Sequence, residues 1–210
     1  MRVPTINFWR NMKKLLTIFC TTLLISTQSY ASGVFIGVDG LRTHASHEAD
    51  NSSLLLGPQD ESKATANNAG YGVNLGVRVD PLMLFVSAEA FYERLNSSST
   101  GFPQNITGSA GPDIEIDDRY GAKANLGITI LPWFTPFITY GVASVSYKTD
   151  VSDEKTAPLY GVGLMFDLPF LNLSLKAAYD IQKFNIPYQN GESDTTLGVA
   201  HLGLVYNFSL

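Results

Sequence analysis

Cysteine is almost absent from this sequence, and long apolar runs are absent beyond residue 25. The single cysteine, Cys20, lies within an N-terminal apolar segment, so a chain that loses this segment has no thiol, no disulfide and no lipid anchor. Basic residues are also scarce, since 14 lysines and arginines stand against 19 acidic residues. This acidic balance makes nucleic acid an unfavourable partner.

The N-terminal segment has the organisation of a secretory signal peptide. MKKLLTIFCTTLLISTQSYAS opens with a basic pair, continues with an apolar core and ends in small residues around a cleavage site before Ser32. The core is too short and wrongly flanked for a membrane helix. We therefore predict a signal peptide over residues 1–31, with translation starting at Met12, and a mature domain over residues 32–210. The mature chain would carry 10 basic and 19 acidic residues.

N-terminal sequencing of the protein from the membrane fraction is expected to give Ser32 as the first residue, because signal peptidase cuts after small residues at the −3 and −1 positions. A mature N-terminus elsewhere, or recovery of the protein as a soluble periplasmic product, would contradict this prediction.

Eight segments of the mature chain alternate between apolar and polar residues with a period of two. This period is that of an extended strand, and none of the segments shows a helical stripe. In Asp118–Trp133, one face carries Arg119 and Lys123, while the other is apolar for about the nine to eleven residues that a tilted strand needs to cross a bilayer. The predicted strands cover residues 33–46, 69–80, 84–95, 118–131, 135–148, 157–168, 171–183 and 195–210.

The connections between these strands alternate strictly between two kinds. Three are short turns, around Pro81, Pro132 and Pro169. An up-and-down meander brings the short turns to one end and the long loops to the other, as in outer-membrane barrels. The four long or polar connections, which are acidic, cover residues 47–68, 96–118, 149–156 and 185–194.

The strand faces predict which side meets lipid. The polar faces carry glycines and charges of both signs, which suits a narrow polar lumen where glycines leave room for charged heads. A soluble ligand-binding barrel would instead place large apolar residues inside. Aromatic residues near several strand ends fit lipid-facing girdles. These are Tyr71, Tyr92, Tyr120, Trp133, Phe134, Phe137, Tyr147, Tyr160, Phe170 and Tyr179.

The segment 135–148 has an ambiguous phase. One phase places Ile138 and Tyr140 inside, and the opposite phase is nearly as good. In the first phase the lipid-facing residues are Phe137, Thr139, Gly141, Ala143, Val145 and Tyr147.

Inward charges on neighbouring strands are expected to pair across the lumen. Counted from the short turns at about 3.3 Å per residue, Glu89 and Glu93 reach the height of Lys123, with Arg119 slightly above. An unpaired charge inside a narrow barrel is costly, so we expect these four side chains to form a charge-paired cluster that closes the bore. Further inward charges are expected to extend this cluster at other heights, namely Arg78, Asp167, Lys176 and Asp180, so that the complete predicted lumen charge cluster is Arg78, Glu89, Glu93, Arg119, Lys123, Asp167, Lys176 and Asp180.

The histidines do not predict a reactive site. His44 and His47 have a spacing that holds metals on a helix, but residues at this spacing on a strand face opposite sides, so we expect solvated loop residues. His201 falls on the predicted lumen face and is expected to be a hydrogen-bonded filler. We predict no catalytic, cofactor or metal site.

The last strand supplies a further clue. It places Tyr206, Phe208 and Leu210 on one face and resembles the C-terminal insertion signal of bacterial outer-membrane proteins, which engages the barrel assembly machinery. With its signal peptide, eight strands, three tight turns and four long loops, the chain resembles the small OmpA/OmpX-type and opacity-type barrels of Gram-negative bacteria. The resemblance implies an all-β, eight-stranded antiparallel up-and-down transmembrane β-barrel in the outer membrane.

Three functions remain compatible with this fold. The first, which we favour, is a non-enzymatic structural and interaction barrel whose loops act as an adhesin or surface antigen toward host or environmental ligands. A small-solute, porin-like channel is the alternative, although an eight-stranded barrel encloses little more than its own side chains. A membrane-embedded lipid-modifying enzyme is third, because no nucleophile and base constellation is visible. Outer-membrane lipids and lipopolysaccharide are expected partners, through divalent cations that bridge acidic loops to phosphates.

Overall fold

The chain forms one closed antiparallel barrel. The computed structural model describes residues 31–49, 62–81, 83–99, 114–148, 152–168, 171–188 and 191–209. Its strands are β1 (Ala31–Ala49), β2 (Ser62–Asp80), β3 (Leu84–Ser99), β4 (Ile114–Ile128), β5 (Phe134–Lys148), β6 (Ser152–Leu168), β7 (Leu173–Tyr188) and β8 (Gly191–Ser209). Each strand pairs with its neighbours in sequence, and β1 also pairs with β8. The predicted eight-stranded up-and-down barrel is confirmed. In the described ranges, no helix is long and apolar enough to cross a membrane.

Most strands extend further than predicted toward the end of the barrel that carries the long connections. The predicted connections 149–156 and 185–194 are wrong in length. The β5–β6 pairing continues up to Lys148 and Ser152, and the β7–β8 pairing continues up to Tyr188 and Gly191. Polar side chains did not end these strands, because pairing between the strands satisfies the backbone N–H and C=O groups. Residues 1–30 of the predicted signal peptide lie outside the described residues, and Ala31 begins β1.

An apolar belt surrounds the barrel. Its side chains are highly exposed in the isolated chain, as lipid-facing residues should be; Val38 is 57% and Leu202 68% exposed. One exposed tyrosine from each of β2 to β7 forms the upper edge of this belt, toward the ends that carry residues 50–61 and 100–113. We call it the tyrosine girdle: Tyr71, Tyr92, Tyr120, Tyr140, Tyr160 and Tyr179.

The phase first considered for β5 is wrong, and the opposite phase is right. Phe137 and Tyr147 are buried inside the barrel, 5% and 2% exposed, and do not belong to a girdle. Ile138 and Tyr140 face outward instead and are 60% and 59% exposed. Of the other predicted girdle residues, Phe170 lies outside the described part of the chain.

The interior is layered, and only its middle is the predicted polar lumen. Toward the outer end, eleven side chains from seven strands form an apolar layer that includes Leu95, Val145 and Phe184. The middle layer is charged, as described below. Near the short turns, Phe85, Phe137 and Met165 pack together, with the two rings 5.8 Å apart. The predicted polar lumen is therefore found in the middle of the barrel, and apolar side chains pack inside the barrel toward both ends.

Candidate functional site

The middle of the barrel is crossed by a network of buried charges, which we call the waist cluster. The side chains come from β1, β3, β4, β7 and β8, and each is at most 6% exposed. Because inward positions repeat every second residue, the charged side chains of paired strands meet at the same height. The members are Asp39, Glu89, Glu93, Arg119, Lys123, Lys176, Asp180 and His201.

Arg119, like Asp180, is a member of the waist cluster without exposed surface. Its guanidinium donates to the Glu93 carboxylate through Nε and approaches it through Nη2, each at 2.7 Å from Oε2, and both side chains are almost fully buried. Glu93 and Arg119 are also directly opposite each other in the β3–β4 register. Arg119 Nη2 lies 3.7 Å from Asp180 Oδ2 on the far wall, so one cation links two strands that are not neighbours.

The two lysines join the remaining carboxylates. Lys123 Nζ donates to Asp180 Oδ2 at 2.9 Å and lies 3.4 Å from Glu89 Oε1. Lys176 Nζ lies 3.6 Å from Glu89 Oε2 and 3.3 Å from Asp39 Oδ2. Glu89 thus bridges the two ammonium groups, and the cluster spans the bore from wall to wall.

His201 contacts this network from β8. Its Nε2 lies 3.1 Å from Asp180 Oδ2, and its Nδ1 lies 3.6 Å from Glu93 Oε1. Arg119 Nη2 is 3.4 Å from the same Nε2. The imidazole therefore fills the space between two carboxylates and a guanidinium and is shielded from solvent, with 3% of its surface exposed.

Glycines on neighbouring strands make room for the waist cluster. A Cβ at Gly72 would lie 2.9 Å from Glu93 Cγ, and one at Gly141 would lie 2.6 Å from Lys123 Cβ. A Cβ at Gly161 would collide with the Asp180 carboxylate, and one at Gly203 with that of Asp39. The inward glycines are therefore required by close approach of charged side chains, carboxylates as well as lysine.

A second charged group lies closer to the short turns. Arg78 pairs with Asp167 through two hydrogen bonds of 2.9 Å, and its Nε donates to Asp80 at 2.7 Å. The Arg78 guanidinium also lies 5.0 Å from the centre of the Phe85 ring. Arg78 and Asp167 thus lie at a different height from the waist cluster, as predicted. The prediction of a different height is wrong for Lys176 and Asp180, which contact Glu89, Arg119 and Lys123 within the waist cluster.

Asp39 and Asn74 belong to this site, but the sequence analysis did not single them out. Asn74 Nδ2 donates to Asp39 Oδ2 at 2.7 Å, and both side chains are buried. The signal for Asp39 was present in VFIGVDG, where it shares the inward parity of Phe35 and Gly37. A polar residue between apolar ones on a membrane strand is placed inward by the same alternation that located Glu89.

Comparison with known proteins identifies the family. The sequence model of the outer membrane protein beta-barrel domain matches residues 17–208. The chain belongs to this family. The barrel is accordingly located in the bacterial outer membrane, where its apolar belt faces lipid.

Solved structures share the fold at low sequence identity. The outer membrane protein AlkL, determined in lipid bilayers, is 13% identical with a TM-score of 0.57, and the match covers 88% of this chain and 94% of that one. Ail, the attachment invasion locus protein of Yersinia pestis, is 20% identical with a TM-score of 0.48, covering 86% of this chain and 100% of that one. OprG from Pseudomonas aeruginosa is 14% identical with a TM-score of 0.48, covering 87% and 99%. No curated protein sequence matches the chain.

The remaining predicted site residues lie on or near the outer surface. Tyr206 and Phe208 of the terminal strand face lipid, with ring centres 4.8 Å apart, and Leu210 is outside the described residues. His44 faces outward, and its Nδ1 lies 2.9 Å from Asn67 Oδ1. The side chain of His47 lies outside the described part. Among the described side chains, no group of three or more His, Asp or Glu residues is arranged to hold a metal ion.

Proposed function

We propose that this protein is a closed surface barrel, which anchors its outer loops in the outer membrane and presents them for interaction, as an adhesin or surface antigen. The observation that carries the proposal is the filled interior. Charged side chains cross the barrel at the waist cluster, and an apolar layer lies above them. A wall of eight strands leaves room for little besides these side chains.

The chemistry of the interior supports this proposal over a channel. An ion crossing the barrel would have to separate Arg119 from Glu93 and Lys123 from Asp180, and each separation leaves charges buried without a partner. It would then have to enter the apolar layer, in which Leu95 and Val145 have no exposed surface. Both layers oppose conduction, and they do so by different physical means.

Planar lipid bilayers test the closed interior directly. The purified, refolded barrel is expected to give no sustained open channel, while a general porin inserted under the same conditions serves as the positive control. A stable, ohmic, porin-sized conductance from the unmutated protein would overturn the closed barrel and favour the channel.

Surface display tests the interaction role. Cells that display the barrel are expected to bind immobilised extracellular matrix proteins or host cells more than cells that display a variant with residues 100–113 replaced by a Gly/Ser sequence of equal length. Equal binding by both would argue against an adhesin role for this segment. Release of modified lipid A or phospholipid fatty acids by the purified barrel would instead support a lipid-modifying enzyme.

A further inference from the structure

The tyrosine girdle has a gap at β1 and β8. Each of the six strands from β2 to β7 contributes one tyrosine at this height, whereas β1 carries Gly40 directly opposite Tyr71, and β8 carries Ala200 directly opposite Tyr179. A Cβ at Gly40 would have Leu202 O at 3.7 Å as its nearest neighbour, so the space outside this position is open. The gap is therefore a shallow notch with Tyr71 and Tyr179 as its two sides.

The notch carries positive charge at its upper edge. Arg42 follows Gly40 on the outer face of β1 and lies opposite Ala69 and Ala200, two small residues that leave its side chain exposed. Lys183 is exposed on β7 opposite Thr196, on the other side of β8. Gly198, the outward residue of β8 between these two cations, is buried under the Tyr179 ring, because a Cβ there would collide with the Tyr179 hydroxyl. The floor of the notch is therefore formed by the small residues Gly40 and Ala200, below the two cations.

The opposite side of the rim carries both signs of charge, with acidic residues in excess. There Asp117 and Asp118 of β4 and Glu154 of β6 lie above the girdle, and Tyr120 donates to Glu154 Oε1 at 2.6 Å. Lys148, one of the cations of that side beside Arg94 and Lys155, is paired with Asp117. Arg42 and Lys183 have no ion pair with any described residue.

We propose that this cationic notch, formed by Gly40, Arg42, Tyr71, Tyr179, Lys183 and Ala200, binds the phosphorylated sugar headgroup of lipid A in the outer leaflet. Arginine and lysine just beyond an aromatic belt lie at the height of lipid phosphates. Arg42 and Lys183 hold phosphate, and the flat floor accepts a sugar ring between the two tyrosines. Below the notch, Val38 and Leu202 continue an apolar wall along which the acyl chains lie.

The proposed binding of lipid A is tested by measuring which lipids the barrel retains. The barrel is placed in phosphatidylcholine nanodiscs that contain a low fraction of diphosphoryl lipid A, dephosphorylated lipid A or phosphatidylglycerol, and native mass spectrometry counts the lipids that stay bound. The unmutated barrel is expected to retain diphosphoryl lipid A in preference to the other two lipids. Arg42→Glu with Lys183→Glu is expected to lower this retention by about tenfold or more, and Lys148→Glu, the matched charge reversal on the acidic side, is expected to leave it unchanged.

Shape is tested separately by Gly40→Tyr, which completes the girdle without changing charge and is expected to lower retention by filling the notch. Equal retention of phosphatidylglycerol, or an equal loss with Lys148→Glu, would overturn the proposal by showing a non-specific attraction of anionic lipid. Heat-modifiable migration in SDS gels checks that each variant is folded. If the charge-reversed barrel does not fold, unchanged retention by Gly40→Tyr overturns the site and loss supports it.

Discussion

Arg119→Met is expected to destabilise the barrel by about 3–5 kcal/mol, the usual cost of removing one partner of a buried ion pair. The side chain has no exposed surface, and its loss leaves the Glu93 carboxylate without the guanidinium that it accepts from at 2.7 Å. Asp180 loses a positive charge at 3.7 Å as well. Urea unfolding of the barrel refolded into lipid vesicles measures the change in free energy of unfolding.

A double-mutant cycle separates this charge effect from lost packing. Glu93→Gln removes the partner charge at nearly constant volume, so the double variant with Arg119→Met is expected to be more stable than the sum of the two single effects predicts, because it leaves no uncompensated carboxylate at this position. The pair of the exposed Lys148 and the half-buried Asp117 provides the control, and Lys148→Met is expected to change stability little. Strict additivity in the Glu93 and Arg119 cycle would contradict a paired cluster.

The charged part of this site follows from the sequence because the strands are simple. Alternation put Glu89, Glu93, Arg119 and Lys123 on inward faces, and counting from the short turns placed them at similar heights. The structure has Glu89 opposite Lys123 and Glu93 opposite Arg119 in the register. Which cation contacts which carboxylate across the bore does not follow from alternation, since the contacts of Asp180 depend on the diameter and stagger of the closed barrel.

The phase of β5 could not be read from its sequence because the polarity of the strand inverts along its length. In the membrane, its apolar residues face lipid, as Ile138 does. Beyond the girdle the outer face meets water, so serines at 144 and 146 face outward while Val145 and Tyr147 pack inside. The rule that apolar residues face outward therefore holds for the membrane-spanning half of β5 and fails for the half beyond the girdle. Because the two halves favour opposite phases, the whole strand fits both phases nearly equally well.

The same inversion explains why the apolar layer in the outer third was not expected. Strand pairing continues beyond the bilayer, and there the barrel behaves as a soluble one that buries side chains such as Leu95 and Ile186. The sequence has these residues at inward parity, and the predicted strands stop short of only three of them, Ile116, Phe184 and Ile186. The others lie within the predicted strands, and they are inward because the outer face of the barrel meets water at this height.

Gly203→Ala is expected to destabilise the barrel by about 3 kcal/mol, at the upper end of what overpacking a filled interior costs. The new Cβ would collide with the Asp39 carboxylate and lie 2.7 Å from Val38 O across the β1–β8 seam. Asp39 would have to move away from Lys176 Nζ, now 3.3 Å away, and from the Asn74 amide. One methyl group would thus disturb the closure of the barrel and the waist cluster together.

Gly40→Ala is the matched control, because it adds the same methyl group on the same seam but on the outer face. Its Cβ would have only ordinary contact, with Leu202 O at 3.7 Å, so we expect little change in the urea midpoint. Shortening the obstructing side chain in Gly203→Ala with Asp39→Ser is expected to recover part of the lost stability, since the collision with the carboxylate is removed. Equal effects of the two glycine substitutions would mean that the cost lies in the backbone of a glycine-containing strand, and not in the space that the waist cluster needs.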